Sequence, residues 1–242
     1  MYLPTGGAAY AYERRDSLAL QLPGGATQVQ QSTRTAFLTV SVVPAVTPAP
    51  APAAYAVTIR LDSLRQDAGG TVPPDSLLLA QGTRWTGSLT PDGRLTGLAP
   101  DRTTGVGDQI GAGLIALFPA LPPGGVVDDA TWSDTTQRTL RADAFDAVER
   151  AVTTYHATKT GGNALAITSS TTFERTGERA DSAQPMQMAS HGARQGSYKF
   201  GAPGLVLDAA GVDSAEMTIS IPAVGQSVPV SQRANWRFTL RQ

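Results

Sequence analysis

Proton transfer near neutral pH falls first to histidine, and the 242-residue chain has only two, His156 and His191. His156 lies in "TTYHATK", alternating with Tyr155 as a wet-face strand residue does; His191, in "MASHGARQG", reads as a loop residue with no motif around it. Neither an H-x-x-x-H nor an H-x-H spacing occurs, so a histidine metal site would require the fold to bring the two together. Cysteine is absent, which removes thiolate catalysis, disulfides and cysteine-built zinc or iron–sulfur sites. Acids cluster at Asp128, Asp129 and Asp134, and again at Asp143, Asp146 and Glu149. Paired carboxylates hydrolyse glycosides when roughly 5 to 9.5 Å apart. A sugar cleft also displays aromatic platforms, however, and aromatics make up 6% of this chain, mostly at strand-core positions. These acids therefore read as solvated turn residues, and none has calcium-loop spacing. The G-x-S-x-G elbow is missing. "GVGDQIGAG", Gly105 to Gly113, lacks the preceding strand, glycine spacing and distal acid of a dinucleotide loop. No catalytic, cofactor-binding or metal residue is assigned, and no cofactor is expected.

The elements that would carry these residues are mainly strands. In "TRTAFLTVSVV", Ala36, Leu38, Val40 and Val42 share one face; in "YAVTIRLDSL", Tyr55, Val57, Ile59 and Leu61 do. "EMTISI" places Met217, Ile219 and Ile221 inward, and "NWRFTLRQ" places Trp236, Phe238 and Leu240 inward. Period-two alternation of this kind marks antiparallel strands dry on one side. "WTGSLTPDGRL" reads as two short strands about an Asp92-Gly93 turn. Helix is scarce. Ile110, Leu114, Leu117 and Phe118 recur at helical spacing, with Asp108 as expected cap and Pro119 at the exit. Gly111 and Gly113 cost about 1 kcal/mol each there, tolerable where a helix lies close on a sheet. "PDSLLLAQG" is a shorter candidate, stopped by Gly82.

A double-glycine hairpin, a threonine-rich strand, an aromatic strand and a glycine turn occur twice in one order. The first set runs through Gly24-Gly25, Trp85 and Asp92-Gly93; the second runs through Gly161-Gly162, Tyr198 and Ala210-Gly211. This order reads as a degenerate duplication of about 100 residues. The expected organisation is a first β half (1-104), a helix and connector (105-135) and a second β half (136-242). The fold class is mainly β, with antiparallel sheets in two related halves (curved sheet, sandwich or half-barrel) and one short central helix.

Charged residues are 16% of the chain and the net charge is −1, so no basic surplus exists to hold nucleic acid. Arginine far outnumbers lysine, which is only Lys159 and Lys199, as in GC-rich bacterial genomes. No run approaches the eighteen or so apolar residues of a membrane span, and the first residues lack the pattern of a signal peptide.

"LFPALPPGGVVDDATWSDT", Leu117 to Thr135, resembles an uncharacterised group of bacterial extracytoplasmic β-rich proteins. These carry an F-P-x-L-P stretch and then a G-D-x-W-type segment. Phe118-Pro119-Ala120-Leu121-Pro122 matches the first part; Asp129 and Trp132 approximate the second, with Asp128 where the glycine would stand. The resemblance implies an exported β-rich protein with two related halves and no assigned activity; the expected location is the periplasm or the outer face of a bacterial membrane.

Together these features point to a non-enzymatic structural or interaction protein, an extrinsic subunit of a larger, membrane-associated bacterial assembly such as a respiratory or photosynthetic complex. Its partners would be other protein subunits. Candidate contacts are Tyr2, Leu3 and Pro4 in the N-terminal extension, and Pro48, Pro50 and Pro52 in the proline-rich stretch from Pro44 to Ala54. That stretch favours an extended, ladder-free backbone and reads as a long hairpin loop or a docking strip. One alternative is a periplasmic carrier of a lipid or other amphiphile, with an apolar pocket lined by Ile59, Ile110, Leu114, Leu117 and Met217. Another is a carboxylate-based hydrolase.

Overall fold

A computed structural model describes residues 5–22, 24–45, 54–122, 124–142, 145–159, 164–179, 185–201 and 204–241. Five strands come first: β1 (Thr5–Gln21), β2 (Thr27–Pro44), β3 (Tyr55–Gln66), β4 (Arg84–Leu89) and β5 (Leu95–Pro100). Helix α1 (Pro74–Ala80) lies between β3 and β4. Helix α2 (Gly105–Leu114), continued by a 3-10 turn over Ile115–Leu117, follows β5. Six strands complete the chain: β6 (Thr131–Ala142), β7 (Phe145–Lys159), β8 (Leu165–Arg179), β9 (Met186–Phe200), β10 (Val206–Ile221) and β11 (Gln226–Arg241). All eleven form one antiparallel sheet in the order β5-β4-β3-β2-β1-β11-β10-β9-β8-β7-β6. The mainly β, antiparallel expectation holds, realised as a single continuous sheet. Its centre is the pairing of β1 with β11, Ala9 opposite Arg241 and Leu20 opposite Val230. Strand β6 begins at Thr131, inside the stretch expected to be connector.

The edges β5 and β6 do not pair with each other, yet the sheet curls until they are close. Arg94, beside the β4–β5 turn, meets Asp134 of β6 at 2.7 Å. Between them runs the Phe118 to Leu121 stretch. Leu121 N–H donates to the Asp92 carbonyl at 2.6 Å, and the Trp132 indole donates to the Ala120 carbonyl at 2.9 Å. Phe118, Ala120 and Leu121 are buried. The F-P-A-L-P segment thus stitches one edge of the sheet to the other.

The main core fills the concave face beneath α2. Leu38, Ile59, Leu61 and Phe238 are fully buried, as the alternation predicts. Tyr12 stacks on Phe238 with ring centroids 4.2 Å apart, and Trp236 meets Phe238 edge-on at 6.0 Å, arrangements worth about 1 kcal/mol each beyond burial. The two helix glycines have a packing reason. A Cβ at Gly111 would lie 2.7 Å from Trp85 Nε1, and one at Gly113 would collide with the Tyr12 hydroxyl. Helix α2 rests directly on these rings.

Three local expectations need correction. The cap of α2 is Thr104 rather than Asp108: its Oγ1 accepts from Gly107 N–H at 3.0 Å, leaving Asp108 in the first turn, where a negative charge suits the helix dipole. His191 is not in a loop but in the middle of β9, and Ala210-Gly211 is not a turn but mid-strand in β10. In both cases small residues hide the strand. A side chain at Gly192 would strike the Phe173 ring, and one at Gly211 the Trp236 ring; bulky neighbours occupy the space that alternating apolar residues would otherwise fill. The Gly24-Gly25 and Asp92-Gly93 turns form as expected, with positive φ at Gly24, Gly25 and Gly93. Gly161-Gly162 lies outside the described residues.

Candidate functional site

Along β7, Phe145, Ala147, Glu149 and Ala151 all face the concave side and are buried. Period two therefore carries a carboxylate into an apolar row. Burying an ionised glutamate is costly unless it is paired and hydrogen-bonded, and the neighbouring strands supply the partners. Arg138 of β6 lies opposite Glu149, and Arg175 of β8 lies opposite it on the other side. Arg138 donates from Nε at 2.9 Å and approaches the same oxygen with Nη2 at 2.7 Å. Arg175 Nη2 donates to the second oxygen at 2.7 Å. Arg194 of β9 reaches across the Phe173 ring, 4.2 Å from its centroid. It donates from Nη1 to the first Glu149 oxygen at 3.1 Å and from Nη2 to the second. Burial pushes the Glu149 carboxyl up, but hydrogen bonds from Arg194 and Arg175 and the charges of Arg138 and Arg194 prevail, bringing it down to about 2.

This cluster continues as a polar layer across the concave face. Asp213 accepts from the Trp236 indole at 3.0 Å and lies 3.9 Å from Arg194 Nε. Further on, Arg14 and Arg34 share Asp16, and Arg34 Nη1 donates to Gln109 of α2 at 2.6 Å. Beyond the layer, away from α2, a second apolar cluster is built on Phe145, Ala147 and Met188, with Met186, Met217 and Ile219 against it.

The outer face of the sheet carries a different feature. Where Gly196 faces Gly211 across β9 and β10, no Cβ separates the backbone from the Tyr198 and Trp236 rings on the inner side. Here the outer face hollows into a concavity of about 610 Å³ spanning β9, β10, β11, β1 and β2. Ala210 and Val212 contribute to its floor, while Glu13, Arg15, Gln195 and Arg237 project around it. Arg237 is held at 2.8 Å by Asp208.

The residues singled out in the sequence are dispersed. His156 Nε2 and the exposed Asp129 carboxylate form a 2.9 Å contact, and Asp128 accepts from the Lys159 backbone N–H at 2.7 Å. Together these acids tie the start of β6 to the end of β7. Asp134 is taken by Arg94. His156 lies opposite Thr168 of β8 and His191 opposite Glu174, six residues and about 20 Å along that strand. The two histidines are not brought together. No group of three or more potential metal ligands occurs among the described residues. Ile59, Ile110, Leu114 and Leu117 pack together in the main core, whereas Met217 belongs to the separate cluster beyond the polar layer. Tyr2, Leu3, Pro4, Pro48, Pro50 and Pro52, like Asp143, lie outside the described residues. Asp134 and Glu149, read from the sequence as solvated turn acids, are instead buried strand residues of β6 and β7, and the Glu149 cluster was missed although its phase with Phe145, Ala147 and Ala151 was there to be read.

No protein-family model matches this sequence, and no curated protein matches it. No helix is long and apolar enough to cross a membrane among the described residues.

Proposed function

We propose that the protein is a non-catalytic interaction subunit, an extrinsic β-rich component of a larger assembly at the outer face of a bacterial membrane. The observation that carries this reading is the outer-face concavity. It is broad and open, lined by residues of both charges and by backbone, and built across five neighbouring strands of the sheet. Open concavities rimmed by both charges suit a protein surface better than a small apolar ligand. The ionisable groups on the inner face are meanwhile engaged in ion pairs that hold strands together. The F-P-A-L-P resemblance supports an exported protein. We also read the paired long hairpins β1–β2 and β7–β8 as descendants of one duplicated unit. Gentle detergent extraction of native membranes should co-purify the chain with defined subunits, and the double variant R15E/R237E should lose them while keeping its melting temperature. A wild-type chain that elutes alone, or a double variant that retains every partner, would overturn the proposal.

A second reading, an amphiphile carrier, is favoured by one feature: the sheet stays unclosed, and its apolar concave face is covered by two separate segments, α1 and the stretch from α2 to Leu121. Native mass spectrometry of the purified protein decides it, with a co-released amphiphile in favour and the bare chain mass against.

A further inference from the structure

The Glu149 cluster holds more positive charge than its own carboxylates neutralise. Arg138, Arg175 and Arg194 converge on one glutamate, and the nearest further carboxylate, Asp213, stands 3.9 Å from Arg194 Nε, beyond hydrogen-bond distance. All three arginine side chains reach solvent in part, 24%, 15% and 22% exposed. Two donors at the same place have no partner. Ser190, 6% exposed and opposite Arg175 in the ladder, has a buried Oγ without a hydrogen bond, and Arg175 Nε is likewise buried and unpaired. A buried hydroxyl and a buried guanidinium N–H left without partners are each destabilising, and such groups call for a partner. Burial and the neighbouring Arg194 and Arg175 charges press the Arg138 guanidinium below its ordinary range, against the pull of Glu149.

We infer that this cluster is a binding site for a tetrahedral oxyanion of the phosphate or sulfate type, held by the free edges of Arg138, Arg175 and Arg194 and by Ser190. Fork-shaped guanidinium donors match such an anion's oxygens. Two sources share this chemistry, a free inorganic anion and the headgroup of an amphiphile. The second is accommodated because Ser190 lies opposite Met217 of β10, so a chain attached to the anion would run onto the Met186, Met217 and Ile219 surface.

The test is isothermal titration of the intact protein with inorganic phosphate and, separately, with monooctyl phosphate, at constant ionic strength in chloride. Saturable one-to-one phosphate binding is expected, weakened about tenfold in Ser190→Ala and at least tenfold in Arg175→Gln, since a hydrogen bond to a charged group is worth that much. Ser190→Ala removes one neutral hydroxyl and retains every ion pair, so it reports even if Arg175→Gln fails to fold. Tighter binding of monooctyl phosphate than of phosphate assigns the site to a headgroup, and equal binding assigns it to the free anion. If neither ligand binds, or if Ser190→Ala binds both as wild type does, the inference is overturned.

Discussion

Replacing Glu149 with glutamine keeps the volume and removes the one charge on which three guanidiniums converge. The folded-state carboxyl titrates at about 2 against an ordinary value of 4.5. At about 1.4 kcal/mol per tenfold change in proton affinity, this difference amounts to about 3 kcal/mol of folding stability. Because the folded-state value is depressed, that stability is fully present above pH 4.5 and is lost as pH falls toward 2. Glu149→Gln should therefore be destabilised by about 3–5 kcal/mol at pH 7, the usual cost of breaking a buried ion pair. Its deficit relative to wild type should shrink by about 3 kcal/mol between pH 5 and pH 2. Urea titrations followed by tryptophan fluorescence, run on both proteins across that range, measure the gap directly. Other acids titrate in both chains, so only the difference is diagnostic. A gap that stays constant from pH 7 to pH 2 would refute the assignment of Glu149 as a buried, ionised keystone.

Gly211→Ala should destabilise by about 1–3 kcal/mol and alter the near-ultraviolet circular dichroism of Trp236, because the new Cβ would collide with its ring and with the Gln195 carbonyl. Thr104→Ala, which strips the α2 cap, should cost about 1 kcal/mol in the same urea assay; a change near zero would mean that packing on Trp85 and Tyr12 alone fixes the helix start.

Strands whose apolar residues alternate at full size were legible in the sequence: Ala36 to Val42, Tyr55 to Leu61 and Trp236 to Leu240 all fall on the faces predicted. Position α2 was legible too, since its apolar spacing survives two glycines, but its start was displaced because Thr104 and Asp108 are both plausible caps and only backbone geometry chooses. Strand β9 was hidden. Its inward positions include Ser190, Gly192, Arg194 and Gly196, which satisfy no hydrophobic pattern because Phe173, Trp236 and the arginine layer fill the space from neighbouring strands. The Glu149 cluster failed for a related reason. Its members lie on four strands, each arginine looks locally like a solvated face, and only the register of β6 to β9 brings them onto one carboxylate.

The first and last strands meet side by side in the middle of the sheet, Ala9 against Arg241. On either side, every ladder joins strands that are neighbours in sequence, so each wing can zip up through local turns as it emerges. The closing seam is the exception. It must wait for the final residues and bear nearly the whole loop-closure entropy of the chain, so loss of β11 would leave two wings ending in bare, facing rims rather than a slightly smaller sheet.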